Sequence, residues 1–127
     1  MKLLSNLKPK IGKEIPFLVL ISFLITFIGS RIVTSLPFPN LYLKVGDIHV
    51  HHFSYFIIIL SILCYYLLTQ PRSDKTRLRA SLIYGFGLGL AFDEFAMWIQ
   101  LENVYHDRTT YDAITIIVLV LLNIIYF

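Results

Sequence analysis

The sequence has almost no cysteine: its single one, Cys64, lies within an apolar run. One cysteine excludes a disulfide within the chain and a metal site built from several of its own thiolates. A lone cysteine in such a run is typical of packing, so we assign it no chemistry. The sequence also lacks a phosphate loop, a dinucleotide-binding fingerprint, a nucleophile elbow and a haem-attachment motif. Histidines and the few charged residues remain as candidates for chemistry.

Charge is also scarce, since 15% of the residues are charged and 57% are hydrophobic. This balance lies outside the usual range for a soluble domain of 127 residues, whose core could not hide so much apolar surface. No polar low-complexity tract and no internal repeat divides the chain. The sequence therefore predicts one all-α membrane domain over residues 1–127, with the lipid bilayer as its surroundings.

Four segments are long and apolar enough to predict a polytopic bundle of four transmembrane helices. Their predicted bounds are 15–36, 48–68, 80–98 and 110–127. At 1.5 Å per residue the first reaches ~30 Å and the last ~27 Å, which is enough to cross the hydrocarbon core. A secretory signal peptide is the alternative for the first segment. No Ala-x-Ala-like cleavage site follows it, so we interpret it as a retained signal anchor.

Basic residues are distributed unequally between the predicted segment ends. One side has only Lys44 and Arg108, whereas the other has eight: Lys2, Lys8, Lys10, Lys13, Arg72, Lys75, Arg77 and Arg79. An excess of lysine and arginine marks the cytoplasmic side. We therefore predict a multi-pass protein of the cell membrane with both termini in the cytoplasm. Because this topology accounts for the basic residues, nucleic acid is not an expected partner.

All four histidines fall on the predicted outer side: His49, His51, His52 and His106. His49 and His52 are one turn apart in the predicted second helix and share a face, whereas His51 points elsewhere. Neutral imidazole is a common metal ligand, and the positive end of a helix favours the neutral form. Asp93 or Glu94, ~7 Å below the outer interface, would add a carboxylate. We therefore predict that His49, His52 and Asp93 bind a divalent metal, either zinc or non-haem iron.

The same residues are open to a structural interpretation, because interfacial histidines also cap helices or hydrogen-bond loops. For Asp93 and Glu94 the structural alternative is an ion pair with Arg31, which lies in the outer half of the first segment. Gly85 and Gly89 begin a stripe of small residues that continues one turn further to Asp93. This stripe predicts close helix packing on the face that carries the acid, and so directs Asp93 into the bundle.

Three classes of function remain open. The first is a metal-dependent enzyme acting on a lipid or another apolar substrate, with Glu94 as general base and Arg31 stabilising a developing anion. The second is a proton or metal-ion transporter or channel, which would work as a homo-oligomer because four helices leave little room for a pore. The third is an accessory subunit whose polar residues fix the fold. The near absence of ionisable residues from the cytoplasmic halves favours a one-sided site over an ion path.

Overall fold

The computed structural model describes residues 13–36, 44–45, 48–71, 73–100 and 108–127, and this part of the chain is almost entirely helical. It contains five helices and one short hairpin. In chain order these are α1 Glu14–Ser35, β1 Lys44–Val45, β2 Ile48–His49, α2 His52–Thr69, α3 Asp74–Asp93, α4 Phe95–Gln100 and α5 Arg108–Tyr126. The two strands are antiparallel, with Lys44 opposite His49. The predicted all-α class is confirmed.

Helix α2 begins at His52, later than the predicted start at residue 48, because the chain before it is extended. Ile48 and His49 form β2, and the backbone of His51 is also extended, with φ −73° and ψ 150°. The segment from Ile48 to His51 alternates apolar and polar residues, with β-branched Ile48 and Val50 at the apolar positions. This pattern favours an extended chain over a helix. The prediction that His49 and His52 lie one turn apart on a helical face is therefore wrong.

Helix α3 is the central element, since it packs along α1 on one face and along α2 on another. Its glycines permit both contacts: Gly85 and Gly89 face α1, and Gly87 faces α2. A Cβ atom built on Gly89 would lie 2.6 Å from the Cβ atom of Thr26. Helix axes approach this closely only where side chains are absent or small. The predicted stripe of close packing is confirmed.

Helix α5 packs against a further part of α1. Phe23 and Phe27 of α1 and Ile114 of α5 form a buried apolar cluster, against which Leu88 and Phe92 of α3 also pack. The two phenylalanines of α1 stack with ring centroids 6.5 Å apart. This cluster joins α1, α3 and α5. It lies next to the end of the bundle that holds the polar residues.

The outward faces of the long helices are apolar. Leu63 is the buried residue of α2, whereas Ile58 and Ile62 on the same helix are more than half exposed. Exposed aliphatic surface on this scale is compatible with a surrounding lipid bilayer. In the part of the chain that the structure describes, three helices are long and apolar enough to cross a membrane: α1, α2 and α5.

Three candidate spans are one fewer than the sequence predicts, and the difference lies in α3. This helix begins at Asp74 rather than near residue 80, so its first two turns include several charged residues. Its continuation is interrupted at Glu94, between α3 and α4. The stretch without charged residues, from Ala80 to Phe92, is about 13 residues, or ~20 Å, which is shorter than a hydrocarbon core.

Candidate functional site

One end of the helix bundle collects buried polar side chains, because α1 and α3 end there and α2 begins there. Asp93 is at the centre of this cluster and is 1% exposed. The Nε atom of Arg31 lies 2.7 Å from Oδ1 of Asp93, and its Nη2 donates a hydrogen bond to the main-chain oxygen of Asp93 at 2.6 Å. The ion pair that the sequence offered as the structural alternative for Asp93 is present. It connects α1 to α3.

His52 contacts the second oxygen of the same carboxylate. Its Nδ1 atom lies 3.3 Å from Oδ2 of Asp93, and the imidazole is about four-fifths buried. A buried carboxylate needs charged or hydrogen-bonding partners because burial removes its hydration. With Arg31 of α1 on one oxygen and His52 of α2 on the other, Asp93 of α3 links these three helices.

The guanidinium group of Arg31 is also held by two aromatic rings. Its central carbon lies 5.3 Å from the ring centroid of Phe27 and 5.4 Å from that of Tyr111. A cation at these distances is attracted by the ring faces, more so where water is excluded. Since Phe27 belongs to α1 and Tyr111 to α5, Arg31 contacts rings of two helices in addition to Asp93 of α3.

Glu94 has a different role, at the N-terminus of α2. Its Oε2 atom accepts a hydrogen bond from the main-chain N–H of Phe53 at 3.0 Å, and Nδ1 of His51 lies 3.4 Å from Oε1. The N-cap residue, His51, makes no side-chain capping bond of its own. The carboxylate of Glu94 thus satisfies an N–H group at the positive end of another helix. Glu94, at the interruption between α3 and α4, therefore caps α2.

The interruption after Asp93 leaves main-chain groups that find partners elsewhere. The Thr110 hydroxyl, fully buried on α5, accepts from the main-chain N–H of Ala96 at 3.1 Å. The indole N–H of Trp98 donates to the main-chain oxygen of Ala91, also at 3.1 Å. A broken helix persists at membrane depth when neighbouring side chains satisfy the freed groups in this way. The break is therefore a stable part of the site.

The two histidines share one orientation. Each turns Nδ1 toward a buried carboxylate, His51 toward Glu94 and His52 toward Asp93. The Nε2 atom of each ring is then directed away from that carboxylate. Histidines that ligate metals are commonly oriented by a carboxylate on the other nitrogen, which fixes the tautomer and the ring plane. Within the described residues, no group of three or more His, Cys, Asp or Glu side chains is placed to hold a metal. These residues therefore offer an oriented pair of imidazoles rather than a complete ligand set.

The structure brings together four of the residues predicted for the site: Arg31, His52, Asp93 and Glu94. The side chain of His49 and the whole of His106 lie outside the described part of the chain. Sequence reasoning missed the contact of His51, because the assumed helix directed that side chain elsewhere. The alternating apolar and polar residues before α2 were the signal that could have placed it.

Together these helices define an all-α protein with the character of a membrane protein. No family model matches the sequence, and no curated protein or solved structure matches it. A fold by itself does not specify a function, so the geometry of the polar cluster carries the functional assignment.

Proposed function

We propose that the chain crosses the membrane four times, with both termini in the cytoplasm. Helix α2 leads away from the polar cluster, and α5 begins again beside it, where Thr110 contacts α4. If α1, α2 and α5 each cross, the chain must return between α2 and α5, and α3 is the described helix that joins the two ends. Contacts with α1 and α2 cover two faces of its short apolar stretch, whereas Leu82 and Phe86 stay exposed and apolar. Basic residues at the start of α3 favour the cytoplasm for that end.

Accessibility of single cysteines tests this topology. In a Cys64→Ser background, Asn103→Cys is expected to react with an impermeant thiol reagent in intact cells. Ser73→Cys is expected to react only after the membrane has been permeabilised. Labelling of both positions in permeabilised cells is the control for reactivity. The opposite pattern in intact cells would exchange the two sides.

We further propose that the polar cluster is the site of a metal-dependent membrane enzyme. His51 and His52 would bind zinc or non-haem iron through Nε2, and the observation that supports this is the orientation of both Nδ1 atoms toward buried carboxylates. His49, next to them in the chain, stays a proposed third ligand. A bound divalent metal supplies Lewis acidity and an activated water. Asp93 and Glu94 each contact Nδ1 of one ring, which would leave Nε2 as the ligating atom.

This proposal changes the roles that the sequence predicted for three residues. Asp93 becomes an orienting partner rather than a ligand, because its two carboxylate oxygens face Arg31 and His52. Glu94 holds His51 and the start of α2, which replaces the role of general base. Arg31 balances the charge of Asp93 instead of stabilising a developing anion. All three act by positioning and charge balance.

An apolar substrate, such as a lipid, suits the surroundings of the cluster. Trp98 lies beside it, stacked on Phe53 with ring centroids 5.5 Å apart and edge-on to Phe95 at 4.9 Å. These rings form an apolar surface next to the histidines. A molecule dissolved in the bilayer can reach this surface without crossing water. The substrate is therefore proposed to enter sideways from the membrane.

Metal content of the detergent-purified protein tests the proposed site. We expect about one zinc or iron per chain, and His51→Ala or His52→Ala should remove most of it. Asp93→Asn leaves both imidazoles in place but loses an orienting charge, so metal affinity should fall about 10- to 100-fold. Asp112→Asn, at an exposed acid on the same end of the bundle, is the matched control and should bind like the wild type. Unchanged, substoichiometric metal in all five proteins would refute the proposal.

An accessory, structural role is the second candidate, and the Arg31–Asp93 pair favours it. Under this alternative the variants would lose stability while metal content stayed negligible. Transport has less support: between the cluster and Arg79, the described helices carry no Asp, Glu, His, Lys or Arg side chain. The oligomeric mass of the same preparation tests the homo-oligomer that transport would require.

A further inference from the structure

A large apolar cleft lies at the other end of the bundle, between the four long helices. Its volume is about 560 Å³, and it is lined by residues of α1, α2, α3 and α5. Leu67 of α2 and Ile124 of α5 lie on its walls, and Val19 of α1 lines it as well. Since its walls are almost entirely apolar, water is a poor occupant of this space. Its location within a membrane protein favours a hydrocarbon chain.

Among the residues that the structure describes, one cation, Arg77, lines this cleft. Arg77 of α3 is one helical turn before Ser81 and two before Tyr84, so the three residues share the face of α3 that lines the cleft. The side chain of Arg77 is 60% exposed, and its ion pair with Asp74 is long, at 4.0 Å, with Asp74 itself 95% exposed. An ion pair as exposed as this one contributes little to the stability of the fold. The guanidinium group is therefore available for a stronger anion, and phosphate is the anion that its planar donors match best.

We propose that this cleft binds one anionic phospholipid, with its phosphate at Arg77 and an acyl chain between Leu67 and Ile124. The proposal rests on complementarity of both parts: the apolar walls match the chain, and the cation at the membrane interface matches the headgroup. Basic pockets between transmembrane helices are known to recognise anionic headgroups. The site is separate from the histidine cluster and does not depend on any metal there.

Native mass spectrometry of the full chain in mild detergent tests the headgroup contact. Phosphatidylglycerol and phosphatidylcholine with the same acyl chains are added separately. Both have a phosphate, but the choline cation of the second cancels its net charge, so the comparison measures the preference for a net negative headgroup. We expect one bound phosphatidylglycerol per chain, with an affinity at least about fivefold above that of phosphatidylcholine, which is the contribution of one basic residue. Arg77→Gln should abolish this preference.

Lys75→Gln is the matched control, because it removes the same charge one turn or less from Arg77 but does not line the cleft. It should keep the preference for phosphatidylglycerol. If Arg77→Gln and Lys75→Gln lose the preference for phosphatidylglycerol equally, the attraction is diffuse and the proposed site is wrong. Equal binding of the two lipids by the wild type would overturn it as well. Both residues are exposed, so neither substitution is expected to disturb folding.

Filling the cleft tests the acyl-chain contact. Ile124→Trp places a larger side chain in the cleft and should weaken binding of both lipids by about tenfold, whereas Leu119→Trp, at an exposed position outside the cleft, should leave it unchanged. Ile124 is 46% exposed, so the larger side chain can be accommodated in the fold. Equal lipid binding by the two variants would contradict the proposed location. A dimer mass that excludes lipid would assign the cleft to a second copy of the chain instead.

Discussion

Arg31→Gln and Asp93→Asn are each expected to lower the free energy of unfolding by about 3–5 kcal/mol, because each leaves a buried charge without its main partner. The side chain of Asp93 is fully buried and that of Arg31 is 13% exposed. Water therefore cannot replace the lost contact at 2.7 Å. Unfolding in mixed micelles with increasing denaturing detergent measures this loss. Trp98, the single tryptophan, packs beside the cluster and provides the fluorescence signal.

The exposed ion pair at the start of α5 gives a matched control. Arg108 Nε lies 3.5 Å from Asp112 Oδ2, but the two side chains are 90% and 62% exposed. Arg108→Gln is expected to cost at most about 1 kcal/mol, because water solvates the remaining carboxylate. Equal losses in Arg31→Gln and Arg108→Gln would contradict the structural importance of the buried pair.

A double variant separates the ion pair from other effects of the two substitutions. Arg31→Gln combined with Asp93→Asn removes both charges, so no uncompensated charge stays buried. The loss in the free energy of unfolding of this double variant should be clearly smaller than the sum of the losses of the two single variants. A strictly additive result would mean that the two side chains stabilise the fold independently.

Sequence alone was sufficient for the outline of the bundle, because apolar runs and glycine spacing are local features. The positions at which helices begin and end were predicted less well. Helix α3 starts with charged residues that a search for apolar segments does not count, although Ser73 caps it by accepting a hydrogen bond from the N–H of Thr76. That cap is a recognisable local signal. With it, the start of α3 could have been predicted.

The interruption at Glu94 could not have been predicted from local sequence. Neither proline nor glycine is present at residues 92–96, where such residues would usually mark a break. The contacts that favour the break come from other helices: the N-terminus of α2 attracts the carboxylate of Glu94, and Thr110 of α5 satisfies a freed N–H group. Such contacts exist only once the bundle has formed. His51 was overlooked for a different, local reason: the alternating segment before α2 was assigned to the helix, although it is extended.

The glycines of α3 differ in what surrounds them, so their substitution by alanine should give graded effects. A Cβ atom on Gly89 would lie 2.9 Å from the main-chain oxygen of Phe23, and one on Gly85 would lie 2.5 Å from that of Val19. Because main chain cannot yield locally, α1 and α3 must move apart. On Gly87 the nearest atom, at 3.1 Å, belongs to the ring of Phe56, which can rotate or shift.

Gly89→Ala is accordingly expected to destabilise the protein by about 1–3 kcal/mol, and Gly89→Leu to prevent assembly of the bundle. Gly87→Ala should cost less than Gly89→Ala. Gly29→Ala is the matched control: it is also helical, but nothing lies within 4 Å of its added Cβ atom, so the better helix propensity of alanine should leave stability equal or raise it by up to about 1 kcal/mol. Thermal unfolding in detergent measures the stability of the three alanine variants.

The effect of Gly89→Ala should also reach the polar cluster, because Asp93 follows Gly89 by one turn on the same face of α3. Moving α3 away from α1 would lengthen the contact between Asp93 and Arg31, which is 2.7 Å in the native packing. The two effects are then coupled, and the loss in the double variant Gly89→Ala, Arg31→Gln should be smaller than the sum of the single losses. Gly87→Ala, on the α2 face, should combine additively with Arg31→Gln. If both glycine variants combine with Arg31→Gln in the same way, close packing at Gly89 does not set the geometry of the ion pair.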